Sequence, residues 1–147
     1  MVEDHFNELV IDLVNPAGQP ERMQLVVRGY NDGFAFCYKI PDGKGPCVNV
    51  QSELTAYNFA GDYTAWFYNG ENHNIGPEKL TETDGTRLPV MTVKAGDKHY
   101  MAIHEACLET GAPLVLQSKG GESLFSVASK PTSLSPGYTS AWRVVLY

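Results

Sequence analysis

The residues best suited to chemistry are His104 and Glu105, in the run Tyr100-Met101-Ala102-Ile103-His104-Glu105-Ala106. Read as a strand, this run sends alternate side chains to opposite faces. Met101, Ile103 and Glu105 then share one face, and Tyr100, Ala102, His104 and Ala106 share the other. An unpaired buried carboxylate is costly. Glu105 therefore either reaches the rim of the sheet or meets a cation or a donor. Acids are mostly exposed, so the ordinary expectation is a strand-end acid in water. His104 cannot act with Glu105 as a ligand pair on one face, because strand neighbours point apart. It reads more readily as a hydrogen-bonded structural histidine than as a catalytic one.

Trp66 and Tyr68 form the second candidate group, two residues apart and so on one strand face. Such a pair suits stacking against a sugar, being apolar in body and polar at the tip. Core or inter-sheet packing is the commoner use of aromatic residues. Glu105 and Glu109 are close in sequence, yet nothing sets them on either side of a glycosidic bond, as paired-acid chemistry requires. There is no nucleophile elbow, P-loop, HExxH, dinucleotide fingerprint or EF-hand loop. No catalytic residue is assigned in this chain.

The elements that must position these residues are strands. Leu9 to Val14, Met23 to Arg28 and Phe34 to Ile40 alternate apolar and polar positions. Asn31-Asp32-Gly33 supplies a positive-φ hairpin turn between the last two. Cys47 to Gln51 reads as a short strand, and Glu53 to Phe67 as two, broken at Gly61-Asp62. Residues 69–87 read as one long polar loop, the kind that is usually functional or mobile. Val90 to Lys94, His99 to Ala106, Leu114 to Ser118, Leu124 to Ala128 and Trp142 to Tyr147 complete the strands, with a Pro/Ser/Gly/Thr loop over residues 131–140. About ten strands without an amphipathic helix mean an all-β, antiparallel fold. Uneven strand lengths favour a β-sandwich over a closed barrel.

The whole chain sets further bounds. Its 147 residues suit one domain, residues 1–147, with a real core. A net charge of −6 and no basic stripe argue against nucleic acid and anionic membrane as partners. No apolar run approaches the roughly 20 residues of a membrane helix. The opening Met1-Val2-Glu3-Asp4-His5 is acidic and lacks the pattern of a signal peptide. The three cysteines show no CxxC spacing, so no zinc site follows. Cys37 and Cys47 flank a turn and are candidates for a disulfide across a hairpin; buried free thiols are the default. The chain stops on a strand residue, Tyr147, which raises the expectation of further sequence beyond it.

Several segments, in order, resemble glycoside hydrolase family 97. They are Asn31-Asp32-Gly33-Phe34-Ala35-Phe36-Cys37-Tyr38, Glu53-Leu54-Thr55 with Gly61-Asp62-Tyr63-Thr64-Ala65-Trp66-Phe67, and Pro77-Glu78-Lys79-Leu80 with Thr83-Asp84. Tyr100 to Ala106 and the late Trp142-Arg143 complete the set. The resemblance implies the family's N-terminal domain, a partial galactose-mutarotase-like super-sandwich. In the family that domain packs on a catalytic (β/α)8 barrel that hydrolyses α-glucosides or α-galactosides and holds calcium in its active site. The glutamate that the sandwich lends to the calcium matches Glu105. By the same resemblance the partners are the barrel and an α-linked oligosaccharide, with Trp66, Tyr68 and His104 as candidate sugar contacts, and the location is periplasmic or secreted.

The barrel and the family's opening strands have no counterpart in these 147 residues. The chain alone is therefore expected to be inactive, and to pair as a homodimer through exposed strand edges. Cys37 stands where the family usually carries arginine, and Cys107-Leu108-Glu109 departs from its pattern after Ala106. Two other readings remain: a free-standing carbohydrate-binding module and a structural interaction domain.

Overall fold

Alternation of apolar and polar side chains becomes an almost entirely antiparallel β structure. The structure is a computed structural model and describes residues 4–18, 20–71, 73–109 and 111–147. In chain order the strands are β1 (Asn7–Val14), β2 (Pro20–Tyr30), β3 (Gly33–Lys39), β4 (Val48–Val50), β5 (Ala56–Asn58), β6 (Thr64–Tyr68) and β7 (Asn74–Lys79). A 3-10 turn, Leu80–Glu82, leads into β8 (Asp84–Lys94), β9 (Tyr100–Ala106), β10 (Leu116–Lys119), β11 (Leu124–Val127), β12 (Thr132–Leu134) and β13 (Trp142–Leu146). Among the described residues no helix is long and apolar enough to cross a membrane.

The main path of hydrogen-bonded neighbours runs β1-β2-β3-β13-β9-β8-β10-β11-β5. β8 joins its two halves. Its end, Met91 to Lys94, pairs with β9, while its start, Asp84 to Arg87, pairs with β10. β6 also lies along β8, with Trp66 opposite Thr92 and Tyr68 opposite Leu88. Two extra residues of β8 thus bulge between those pairs, which turns the strand from one half to the other. Phe67, Met91, Val93, Ile103 and Val145 then meet Leu114, Leu116, Phe125 and Val127 in one core. The rings of Phe67 and Phe125 pack at 5.5 Å, and Phe59 meets Phe125 edge-on at 6.4 Å. This is the sandwich that uneven strand lengths suggested.

The hairpin from β2 to β3 turns at Asn31-Asp32, with Tyr30 opposite Gly33. Its positive φ falls on Gly33 alone. A side chain there would run into the carbonyl oxygen of Val145, because β13 crosses close against the start of β3. Glycine is needed at this point for that approach.

Two segments read as loops are ordered strands. Residues 69–87 hold β7, the 3-10 turn and the first part of β8. Among the described residues β7 pairs with β6 alone, so it is an edge strand and tolerates polar residues and Pro77. Its register against β6 shifts between Ala65 and Phe67, where Gly76 sits at φ +119. Residues 131–140 hold β12, which pairs with β4 in a separate ribbon, and Thr139 bridges to Lys39. The β4 half of this ribbon matches the short strand expected over Cys47 to Gln51, whereas β12 is three residues long and shows no period in the sequence.

The disulfide does not form: Cys37, Cys47 and Cys107 are all free thiols. Cys37 is buried in the middle of β3, as a small apolar residue would be. Cys47 lies beyond the loop, where its Sγ is 3.7 Å from Ser135 Oγ. Contrary to the default for free thiols, Cys47 and Cys107 are exposed.

Candidate functional site

β13 is the last strand in sequence but lies between β3 and β9. Phe36, Arg143 and Glu105 consequently stand in one row across the three strands. They share the face that carries Val145 and Ile103 into the core, two residues away on each strand. An arginine on that face must bring counter-charges with it. Arg143 is 5% exposed. Its Nε and Nη2 donate to the two carboxylate oxygens of Glu53, at 3.2 and 2.8 Å. This forked pairing matches the planar guanidinium. Glu53 is held in turn by its own backbone N–H, which donates to Ser129 Oγ at 2.7 Å.

Glu105 is the second acid of the cluster. Its Oε2 accepts a 2.7 Å hydrogen bond from the backbone N–H of Leu114 and stands 3.6 Å from Arg143 Nη1. Its side chain is 12% exposed, against 6% for Arg143. Glu105 is therefore not the strand-end acid in water that its type suggested. A donor and a cation meet it, which is how a carboxylate tolerates this depth. One guanidinium faces two carboxylates, and the three groups sum to one negative charge.

Among the described residues two polar atoms beside this cluster lack hydrogen-bond partners. Arg143 Nη1 and the hydroxyl of Tyr57 are buried without a hydrogen bond. Burial tends to lower the Arg143 pKa, but the Glu53 hydrogen bonds and charge outweigh it and the result is raised. Burial pushes the Tyr57 hydroxyl up to about 12, with Arg143 pulling the other way. Tyr57 also lines an apolar groove of about 420 Å³, together with Phe34, Phe59, Tyr63, Met101 and Val145.

Trp66, Tyr68 and His104 are not brought to Glu105. They occupy the opposite face of the sheet. His104 stands across from Val144, and Trp66 lies two strands away in the row of Thr92 and Ala102. Strand spacing puts Trp66 and His104 about 12 Å apart along that face. His104 is exposed, Trp66 is half-buried, and Tyr68 is 41% exposed. The charge cluster itself has members that sequence reasoning missed: Glu53, Arg143 and Tyr57. The available signal was Arg143, a lone charge in the apolar run Ala141 to Tyr147.

Calcium takes six to eight oxygen ligands at about 2.3–2.6 Å. Both oxygens of Glu53 are engaged by Arg143. Among the described residues no group of three or more His, Cys, Asp or Glu side chains is placed to hold a metal ion. The donor set of this chain thus fits a single carboxylate ligand from Glu105, and no complete site.

A family model described as "Glycosyl-hydrolase 97 N-terminal" matches residues 1–147. The retaining alpha-galactosidase of Bacteroides thetaiotaomicron is 29% identical over 121 residues, 71% of this chain and 18% of that protein. A probable retaining alpha-galactosidase of Streptomyces bingchenggensis is 33% identical over 107 residues, 60% of this chain and 16% of that protein. The chain therefore spans less than a fifth of the length of these curated relatives. Among solved structures, a glycoside hydrolase family 97 enzyme from Pseudoalteromonas sp. strain K8, in complex with acarbose, superposes with a TM-score of 0.77 at 22% identity. That match covers 99% of this chain and 24% of the other. A beta-arabinopyranosidase superposes with a TM-score of 0.79 at 18% identity, covering 99% and 28%.

The buried tyrosine gives the cluster a signature in pH. Folded Tyr57 keeps its proton until about 12, whereas an ordinary tyrosine releases it near 10. Between those values the folded state binds more protons than the unfolded one, so stability falls as pH rises. The full shift amounts to roughly 2–3 kcal/mol. Urea unfolding from pH 8 to 12 should show this loss, and Tyr57→Phe should flatten part of the slope at little cost near neutrality. An unchanged slope in Tyr57→Phe would show that the hydroxyl is solvated.

Proposed function

This chain belongs to the glycosyl-hydrolase 97 N-terminal family, and we propose that it serves a family 97 glycoside hydrolase as a non-catalytic wall of the active site. In this reading it lends Glu105 to a calcium ion whose other ligands lie on a (β/α)8 barrel. The observation that supports it is the charge balance at the end of β9. Arg143 is matched by Glu53, so the charge of Glu105 is supported without being cancelled. A partly shielded, anchored carboxylate of this kind suits a dication better than a solvated one, because less side-chain freedom is lost on binding. Calcium there would supply fixed positive charge beside the sugar. The residues of this chain would orient that ligand and exclude water. The substrate class is an α-linked galactoside or glucoside, and the location is the periplasm or the outside of the cell. Fractionation of the source cells, with the protein followed by antibody, tests that location; recovery in the cytosol would contradict it.

Acid–base cleavage of a glycoside needs two positioned carboxyls, about 5–5.5 Å apart for retention or 6.5–9.5 Å for inversion. The carboxylates that converge here, Glu53 and Glu105, both face Arg143 rather than an open cleft. The isolated chain should therefore give no turnover of nitrophenyl α-galactoside or α-glucoside. Turnover that survives repurification and vanishes in Glu105→Gln would overturn the non-catalytic reading.

Calcium should hardly move the melting temperature of the isolated chain, since tight binding would add about 2.7 kcal/mol at 100 times the dissociation constant. In an intact enzyme carrying this domain, Glu105→Gln should lower calcium content and turnover with the fold retained. His104→Ala, on the other face, should change calcium content less. Full calcium content and activity in Glu105→Gln would return Glu105 to a structural role.

A second reading draws on the opposite face, where half-buried Trp66 and exposed Tyr68 stand side by side. It takes them, with His104, as a platform for an α-linked oligosaccharide. Quenching or a shift of tryptophan fluorescence on titration with soluble α-glucan, lost in Tyr68→Ala, would favour it. An unmoved spectrum would remove it.

We also propose weak self-association through β1. Among the described residues nothing pairs with its outer edge, and Leu9, Val10, Ile11 and Val14 are exposed. A two-fold centred on Val10 would set Glu8 of each copy against Asp12 of the other, and like charges directly opposite oppose pairing. Light scattering at rising concentration should show a dimer that Leu9→Lys/Ile11→Lys abolishes. A strict monomer would contradict the proposal.

A further inference from the structure

We propose that Glu53 is the positioning residue for Glu105, acting by holding Arg143 back from it. Arg143 has one fork of donors committed to Glu53, at 2.8 and 3.2 Å. Its remaining nitrogen, Nη1, is buried without a hydrogen bond and faces Glu105 Oε2 at 3.6 Å. That distance lies beyond a charge-assisted hydrogen bond, which is about 2.7–2.9 Å. An orphaned guanidinium nitrogen so near a carboxylate would close on it if it were free to move. What opposes closure is the grip of Glu53, whose backbone is itself pinned to Ser129. On the other side, Leu114 fixes Glu105 Oε2 through its backbone N–H. Glu105 is thereby clamped between a fixed donor and a restrained cation.

Closure would matter chemically. A carboxylate hydrogen-bonded by both Leu114 and Arg143 would have one oxygen fully satisfied and its charge offset by a cation at contact distance. It would then be a poor ligand for a dication. With Arg143 held at 3.6 Å, Glu105 Oε2 takes its hydrogen bond from Leu114 and none from Arg143, so the guanidinium offsets less of its charge locally. The calcium half of this inference rests on the reading of Glu105 given above; the geometric half does not.

The test is a crystal structure of the chain carrying Glu53→Gln, which keeps the size of the side chain and removes its charge. Arg143 Nη1 should move from 3.6 Å to about 2.7–2.9 Å from Glu105 Oε2. An Arg143 that stays where it is, or swings away toward Tyr57, would overturn the proposal. If Glu53→Gln does not fold, Glu53→Asp keeps the charge but shortens the reach, and it should draw Arg143 further from Glu105; an unchanged distance counts against the idea. In an intact enzyme carrying this domain, metal analysis should show Glu53→Gln losing calcium affinity by roughly 10–100-fold, as changes behind a ligand do. Closure of Arg143 with calcium content unchanged would leave the positioning role standing and remove the calcium role of Glu105. Calcium loss without closure would do the reverse.

Discussion

A guanidinium buried in the middle of an antiparallel sheet is the constraint around which the rest of this structure is arranged. Taking one charge out of water costs several kcal/mol unless partners repay it. Arg143 sits on β13, with a neighbouring strand on each side, and is almost wholly buried. The partners must come to it. Glu53 arrives from the segment before β5, and Glu105 from the end of β9. Three parts of the chain far apart in sequence are thus tied at one point. The return of the last strand to the centre of the sheet is what makes the tie geometrically available.

The fold was legible in the sequence wherever one face of a strand is buried. β2, β3, β9 and β13 alternate, and each was found within a few residues of its ends. The edge strand β7 and the short β12 were not legible, because their residues answer to no single buried face, although β1 and β4 were. β7 carries a proline and a glycine at a bulge, and β12 is three residues long. The site was legible as far as one residue. Glu105 stood out as a carboxylate at the end of an apolar strand. Its partners did not, because Glu53 and Arg143 are 90 residues apart and only the register of β13 against β9 brings the arginine to the second acid. Burial of a charge is a statement about long-range pairing, which local pattern does not carry.

The two faces of the central sheet divide the candidate chemistry. One face holds the core, the apolar groove and the charge cluster. The other holds His104, Trp66 and Tyr68, separated from the cluster by the thickness of the sheet itself. A ligand that touches Glu105 from within the fold does not also touch Trp66. The calcium reading and the sugar-platform reading therefore concern different surfaces, and each stands or falls alone. The family assignment rests on neither, since it follows from the match over the full 147 residues.

The central claim is that Glu105 is a calcium ligand supplied across a domain boundary. The most direct measurement is an anomalous difference map from crystals of an intact family 97 enzyme carrying this domain, grown with calcium. The account predicts a calcium peak about 2.3–2.6 Å from a carboxylate oxygen of Glu105, with the remaining ligands outside these 147 residues. A calcium peak bound elsewhere, with Glu105 still hydrogen-bonded to Leu114 and turned to Arg143, would contradict it.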